Sequence, residues 1–212
     1  MKRKLDDGSD HRKGSSTHKK ANANATFTSG SASNNKVISY GVLLYRRIDN
    51  PDTTNGHKIE YLLGLLPQRN WWTVFKGLPE EQETPHQTAL REFAEETGTL
   101  EDRVLKSLHP DTTLYGTVGN KKQLVIFLQD GSHIQTSCFN VDNVVKIDGG
   151  YMKGRPEIVE IQWMTFEEAM DGNVKIYKSQ QSILQDAQEF LEQKMKTEGE
   201  EDESKDDDDD SS

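Results

Sequence analysis

Gly77-Leu78-Pro79-Glu80-Glu81-Gln82-Glu83-Thr84-Pro85-His86-Gln87-Thr88-Ala89-Leu90-Arg91-Glu92-Phe93-Ala94-Glu95-Glu96-Thr97-Gly98-Thr99 opens as a loop and closes as a helix. Thr84 suits an N-cap, Pro85 the first helical position, and Gln87 completes a Thr-x-x-Gln capping box. Gly98 supplies the stop, so the spacing predicts a helix over 85–97. At about 100° per residue, Ala89, Leu90, Phe93, Ala94 and Thr97 form one stripe, expected to be buried. Glu92, Glu95 and Glu96 stack on adjacent turns of another face. Like charges at that spacing cost roughly a few tenths of a kcal/mol per pair. A bound divalent cation reverses that sign, and magnesium takes hard oxygen ligands. On the glutamates alone, a solvated acidic face is the better reading.

Outward from this helix the chain alternates between strands and loops. Val37–Tyr45 is β-branched and aromatic, and Ile59–Leu66 ends at Pro67. Between them, Asp49 to His57 carries loop chemistry. Leu124–Leu128 and Ile158–Trp163 read as further strands, with shorter ones expected near Trp72–Phe75 and Leu114–Val118. A second helix follows from the stripe Ile183, Leu184, Ala187, Phe190 and Leu191, which needs a sheet to pack on. Strands mixed with two helices predict an α/β sandwich.

The compact region is expected over 36–195, between a basic polar tail at 1–35 and an acidic tail at 196–212, both expected to be disordered. Residues 1–35 hold seven Lys/Arg and three Asp, a net +4. Residues 196–212 hold two Lys and ten Asp/Glu, a net −8, which leaves −6 of the total −10 for the body. An acidic body is a poor general attractor of long nucleic acid. Phosphate handling then requires local cations and bound metal. The single cysteine, Cys138, excludes an internal disulfide, fits a reducing compartment and reads as a passive half-buried side chain. No apolar run approaches the roughly 20 residues needed to span a bilayer, and the N-terminus lacks a signal-like apolar stretch. A soluble intracellular protein, cytoplasmic or nuclear, is expected. The tails are candidates for contact with other proteins.

Gly77, five residues, Glu83, seven residues, then Arg91-Glu92-Phe93-x-Glu95-Glu96-x-Gly98 resembles the signature of the Nudix hydrolases, G-x5-E-x7-R-E-U-x-E-E-x-G-U with U a bulky aliphatic residue. Eight specified positions match in register, and Thr99 departs where an aliphatic residue is usual. The preceding loop departs too, with Phe75 and Gln82 where many members carry Pro and Gly. The resemblance implies a Nudix-like α/β/α sandwich with a mixed sheet between helices. It implies a Mg2+ site, with Mn2+ the alternative, built from Glu92, Glu95, Glu96 and the Gly77 carbonyl, with one of these glutamates open as general base and Glu92, Glu95 and Arg91 as the catalytic residues. Arg91, four residues before Glu95, is expected to hold the cluster in position. Lys76 and Glu83 border the site and are expected to meet the substrate. Glu157 and Glu160 read first as strand-edge glutamates, with general base the alternative.

The family acts on nucleoside diphosphate-linked compounds. Trp72–Gly77 and Ala89–Gly98 look like the small members that cleave dinucleoside polyphosphates such as diadenosine tetraphosphate. Of Trp71 and Trp72, one is expected in the core and one at the pocket rim, with Trp72 taken as the substrate contact. Diphosphoinositol polyphosphates or capped RNA would use the same acids. A catalytically silent adaptor is the alternative of another class, and the full set of acids speaks against it.

Overall fold

The computed structural model describes residues 36–51, 56–68 and 70–203. The expectations for 1–35 and for the last nine residues of the acidic tail lie outside these described residues. Three long strands organise the sheet: β1 (Val37–Asp49), β2 (His57–Leu65) and β6 (Lys122–Asp130). The first two form an antiparallel pair, Tyr45 opposite Tyr61, while β1 and β6 run parallel from Val37–Lys122 to Tyr45–Asp130. The sheet is therefore mixed. β5 (Pro110–Val118) pairs with β6 at one edge, and its proline occupies the first residue, where a missing N–H is tolerated. β7 (Glu160–Thr165) pairs antiparallel with β2.

Alternation along these strands sends side chains to two cores. Val42, Leu44 and Leu62 join Phe75, Ala89, Phe93 and Ile158 on one face. Leu43, Tyr45, Tyr61 and Leu63 join Ile183, Leu184, Ala187 and Leu191 on the other. Burial on both faces explains why β1 reads as a continuous apolar run rather than an alternating one. Helix α1 (Pro85–Thr97) covers the first face and α4 (Lys178–Glu203) the second. The α/β/α sandwich expected from the sequence is the architecture observed.

Several boundaries differ from the sequence reading, each for a tertiary reason. The stretch Trp72–Phe75 is two strands, β3 (Trp71–Thr73) and β4 (Phe75–Gly77), parted at Val74. There the amide of Val74 donates to the buried Gln180 side chain of α4 (2.9 Å), and this bond interrupts the strand. β7 begins two residues later than expected, and Ile158 ahead of it is wholly buried on the Phe75 side of the core. α4 continues past residue 195 to Glu203, and Glu198 on this extension is paired with Arg47 at 2.8 Å. Two short helices, α2 (Asp102–Ser107) and α3 (Phe166–Met170), and the two-residue strand β8 (Lys175–Ile176) had no counterpart in the sequence reading. No helix among the described residues is long and apolar enough to cross a membrane.

Candidate active site

The site is built where α1 lies across β4. Thr84 caps the helix: its hydroxyl accepts from the Gln87 amide (3.3 Å), and the Gln87 side chain accepts from the Thr84 amide (2.9 Å). Gly98 ends the helix in the left-handed region (φ 65°), where a β-carbon would also collide with the Asn140 carbonyl. Phe93 meets Phe75 edge-to-face at 5.4 Å, fixing the helix on the strand. Gly77 makes the closest approach. A β-carbon there would lie 1.9 Å from the Glu92 carboxyl carbon, so a larger residue would push this carboxylate off the strand.

Arg91 organises the acids. Its guanidinium donates to Glu83 (2.7 and 3.1 Å), Glu92 (2.9 Å), Glu95 (3.0 Å) and the Leu78 carbonyl (2.9 Å). The planar fork matches such multiple acceptance. Glu83 also accepts from the Glu80 amide and the Thr88 hydroxyl, and Arg91 holds its carboxyl down at about 2. With both oxygens engaged, Glu83 is a loop anchor in this structure rather than the substrate contact expected from the sequence. Glu96 is buried against β4 and accepts from the Lys76 amide at 2.6 Å. Burial pushes its carboxyl up to about 8, against the opposing pull of Lys76.

One acid joins the cluster from outside the helix. Glu157 follows a loop whose backbone is tied to α1, with Val145 N–H on the Glu95 carbonyl (3.0 Å) and Glu157 N–H on the Val145 carbonyl (3.1 Å). Burial, then the charge of Glu95, raises its carboxyl pKa. Glu92 is raised mainly by burial, against the pull of Arg91, and feels the charges of Glu95 and Glu157, while Glu96 feels Glu92 and Glu157. The four carboxylates are one electrostatic unit. Glu160, its companion in the sequence reading, is exposed on β7.

Such a set of hard oxygens, partly buried and mutually repelling, fits a hard divalent cation. Among the described residues, no three His, Cys, Asp or Glu side chains converge on one cation position. Arg91 draws Glu92 and Glu95 to itself, and Glu96 is turned to the Lys76 amide.

A cavity of about 450 Å3 opens beside the acids, lined by Leu66, Gln68, Glu96, Ile147, Glu157 and Tyr177 among others. Tyr177 stacks on Trp71 with ring centroids 4.4 Å apart. Trp72 points to the opposite side of the sheet and packs on the core beneath α4. The tryptophan beside the pocket is thus Trp71, because alternation along β3 sends its neighbour inward. The Lys76 ammonium is turned to the Thr73 hydroxyl (3.1 Å) and the Val74 carbonyl (3.4 Å), and Gln180 holds the same hydroxyl from α4 (3.0 Å). Lys122, at the start of β6, is lowered by burial and by the nearby charge of Lys76.

The NUDIX domain model matches residues 41–186, more than half of the chain. The chain belongs to the Nudix family. It is a pyrophosphohydrolase, acting on pyrophosphate bonds in nucleoside diphosphate-linked compounds. No curated protein matches its sequence significantly. Among solved structures, this Nudix chain is similar to a C. elegans Ap4A hydrolase in a binary complex, at 25% identity and TM-score 0.47, over 73% of this chain and 97% of that one. It is also similar to RenU, a Nudix hydrolase from M. Smegmatis, at 17% identity and TM-score 0.46, over 73% and 86% of the two chains. A third is the NUDIX domain of Shewanella oneidensis NrtR complexed with ADP ribose, at 14% identity and TM-score 0.44, over 74% and 88%. The assignment rests on the domain match.

Proposed function

We propose that this Nudix chain hydrolyses a dinucleoside polyphosphate, such as diadenosine tetraphosphate, in the presence of Mg2+ or Mn2+. The observation that carries the reading is the cavity of about 450 Å3, in which two of the four acids share walls with an aromatic ring, Tyr177. This volume is within the roughly 300–1,000 Å3 of small-ligand sites. It suits a compact nucleotide better than a long polymer, as does the net charge of −10.

Glu92, Glu95 and Glu96, with the Gly77 carbonyl, would hold the cation. When bound, it neutralises phosphate charge and lowers the pKa of a coordinated water. The chain itself supplies position. Arg91 fixes Glu92 and Glu95, and Gly77 lets β4 lie against Glu92. Glu157 takes the proton of the attacking water, because burial and the charge of Glu95 make its carboxyl a stronger base and no described side chain donates to it. Lys76 and Lys122 supply positive charge to the polyphosphate. In-line attack at phosphorus then expels a phosphorylated leaving group.

The test is turnover of dinucleoside tetraphosphate, a nucleotide sugar, a diphosphoinositol polyphosphate and capped RNA by the purified chain with Mg2+ and with chelator. The dinucleoside compound is expected to give the highest kcat/KM, abolished by chelator. A higher value for another substrate would overturn the substrate reading, and no turnover of any would favour the adaptor.

A further inference from the structure

The connection between β6 and β7, residues 131–159, contains three single-turn 3-10 helices and one isolated antiparallel bridge, Lys146 opposite Pro156, but no longer helix or strand. Connections longer than roughly 12–15 residues without regular structure are uncommon and usually functional. Its first half is tied to the end of α1, through Asn140 N–H to the Thr97 carbonyl (3.0 Å) and Val145 N–H to the Glu95 carbonyl (3.0 Å). It leaves through Val159 N–H to the Leu65 carbonyl at 2.9 Å. Between these anchors the chain doubles back as a narrow arm. Ile147 N–H bonds the Arg155 carbonyl and Gly154 N–H the Ile147 carbonyl, both at 2.8 Å.

The arm carries Tyr151 at its tip. Tyr151 is 85% exposed, yet its neighbour Met152 is only 6% exposed, so the tip is pinned while the ring stays open. The Tyr151 hydroxyl donates to the Gln68 side chain. Gln68 lines the cavity that also holds Glu96 and Glu157, and Ile147 at the base of the arm lines it as well. One side chain thus links the arm to a wall of the cavity. A ring so exposed gains little from folding, whereas an open aromatic face is what a planar base can stack on. Tyr177 already gives one of its faces to Trp71.

We propose that residues 145–157 form a strap at the cavity and that Tyr151 determines specificity by stacking on the second base of the substrate. The proposal rests on the dinucleoside polyphosphate reading above. Recognition through this strap extends the site beyond the acids, which act only on the phosphates.

The test compares kcat/KM for dinucleoside tetraphosphate and for nucleoside tetraphosphate, with Mg2+, in the full chain, Tyr151→Ala and Tyr151→Phe. The ratio of the two values is expected to fall roughly 5- to 100-fold in Tyr151→Ala, through KM on the two-base substrate. Tyr151→Phe keeps the ring and is expected to retain most of the ratio. An unchanged ratio in Tyr151→Ala, with the wild type active on the dinucleoside compound, overturns the role of Tyr151 alone. An equal loss in Tyr151→Phe assigns the effect to the Gln68 hydrogen bond and overturns stacking. A wild type without dinucleoside turnover overturns the substrate reading and the strap's role together. Exposure of the ring makes unfolding of either variant a poor explanation, and an unchanged Tm checks this.

Discussion

Thr99 stands where Nudix chains usually carry an aliphatic side chain, and its hydroxyl is buried with no hydrogen-bond partner among the described residues. An unpaired buried hydroxyl costs about 1–3 kcal/mol. Thr99→Val keeps the shape and removes the group, so a gain of about 1 kcal/mol is expected in denaturant unfolding, with kcat unchanged. Glu96 is the opposite case, an acid whose cost serves the site. Its folded pKa of about 8 lies above the unfolded carboxylate value, so the folded state binds the extra proton between them. Its contribution to stability is therefore largest below the unfolded pKa. That contribution declines as pH rises toward about 8 and is level above it. In chelator, Tm is expected to fall between pH 5 and 8 more steeply for wild type than for Glu96→Gln. Added Mg2+ is expected to raise the wild-type Tm more at pH 8 than at pH 5, because the ligand must be ionised. Equal slopes with and without Glu96 would contradict this.

At the scale of elements, α1 is the best specified part of the chain. Thr84→Ala removes the hydroxyl half of the capping box and is expected to cost about 1 kcal/mol in denaturant unfolding. Gly98→Ala is expected to cost more, since it strains a left-handed residue and meets the Asn140 carbonyl. The helix was legible because its cap, stop and carboxylate spacing are all local. The strands near Trp72 were less so. Their break at Val74 depends on Gln180, which is 106 residues away, and no local pattern signals such a partner. Trp72 was misplaced for a related reason: adjacent tryptophans on a strand go to opposite faces, and choosing between them needs the sheet's covering helices.

At the scale of the whole molecule, the sandwich was legible from periodicity, since two amphipathic helices and β-branched runs have few other ways to bury their apolar faces. The candidate site was legible only where it is continuous in sequence. Gln68 and Tyr177 come to the acids of α1 through loops closed by long-range hydrogen bonds and sheet register, so nothing near them in sequence marks them, and Glu157 could be named only as an alternative beside Glu160 until the fold separated the two. Glu83 shows the reverse limit: its motif position was clear, but only the structure shows both oxygens engaged. The site thus joins a local, strongly specified helix to partners assembled by the fold. The most direct test of its central claim is kcat for dinucleoside tetraphosphate at saturating Mg2+ in Glu96→Gln, beside the Tm of the same protein. The expected result is a fall of at least about 100-fold with a Tm at or above wild type in chelator at pH 8. Turnover within a factor of about two of wild type would contradict hydrolysis at this carboxylate cluster.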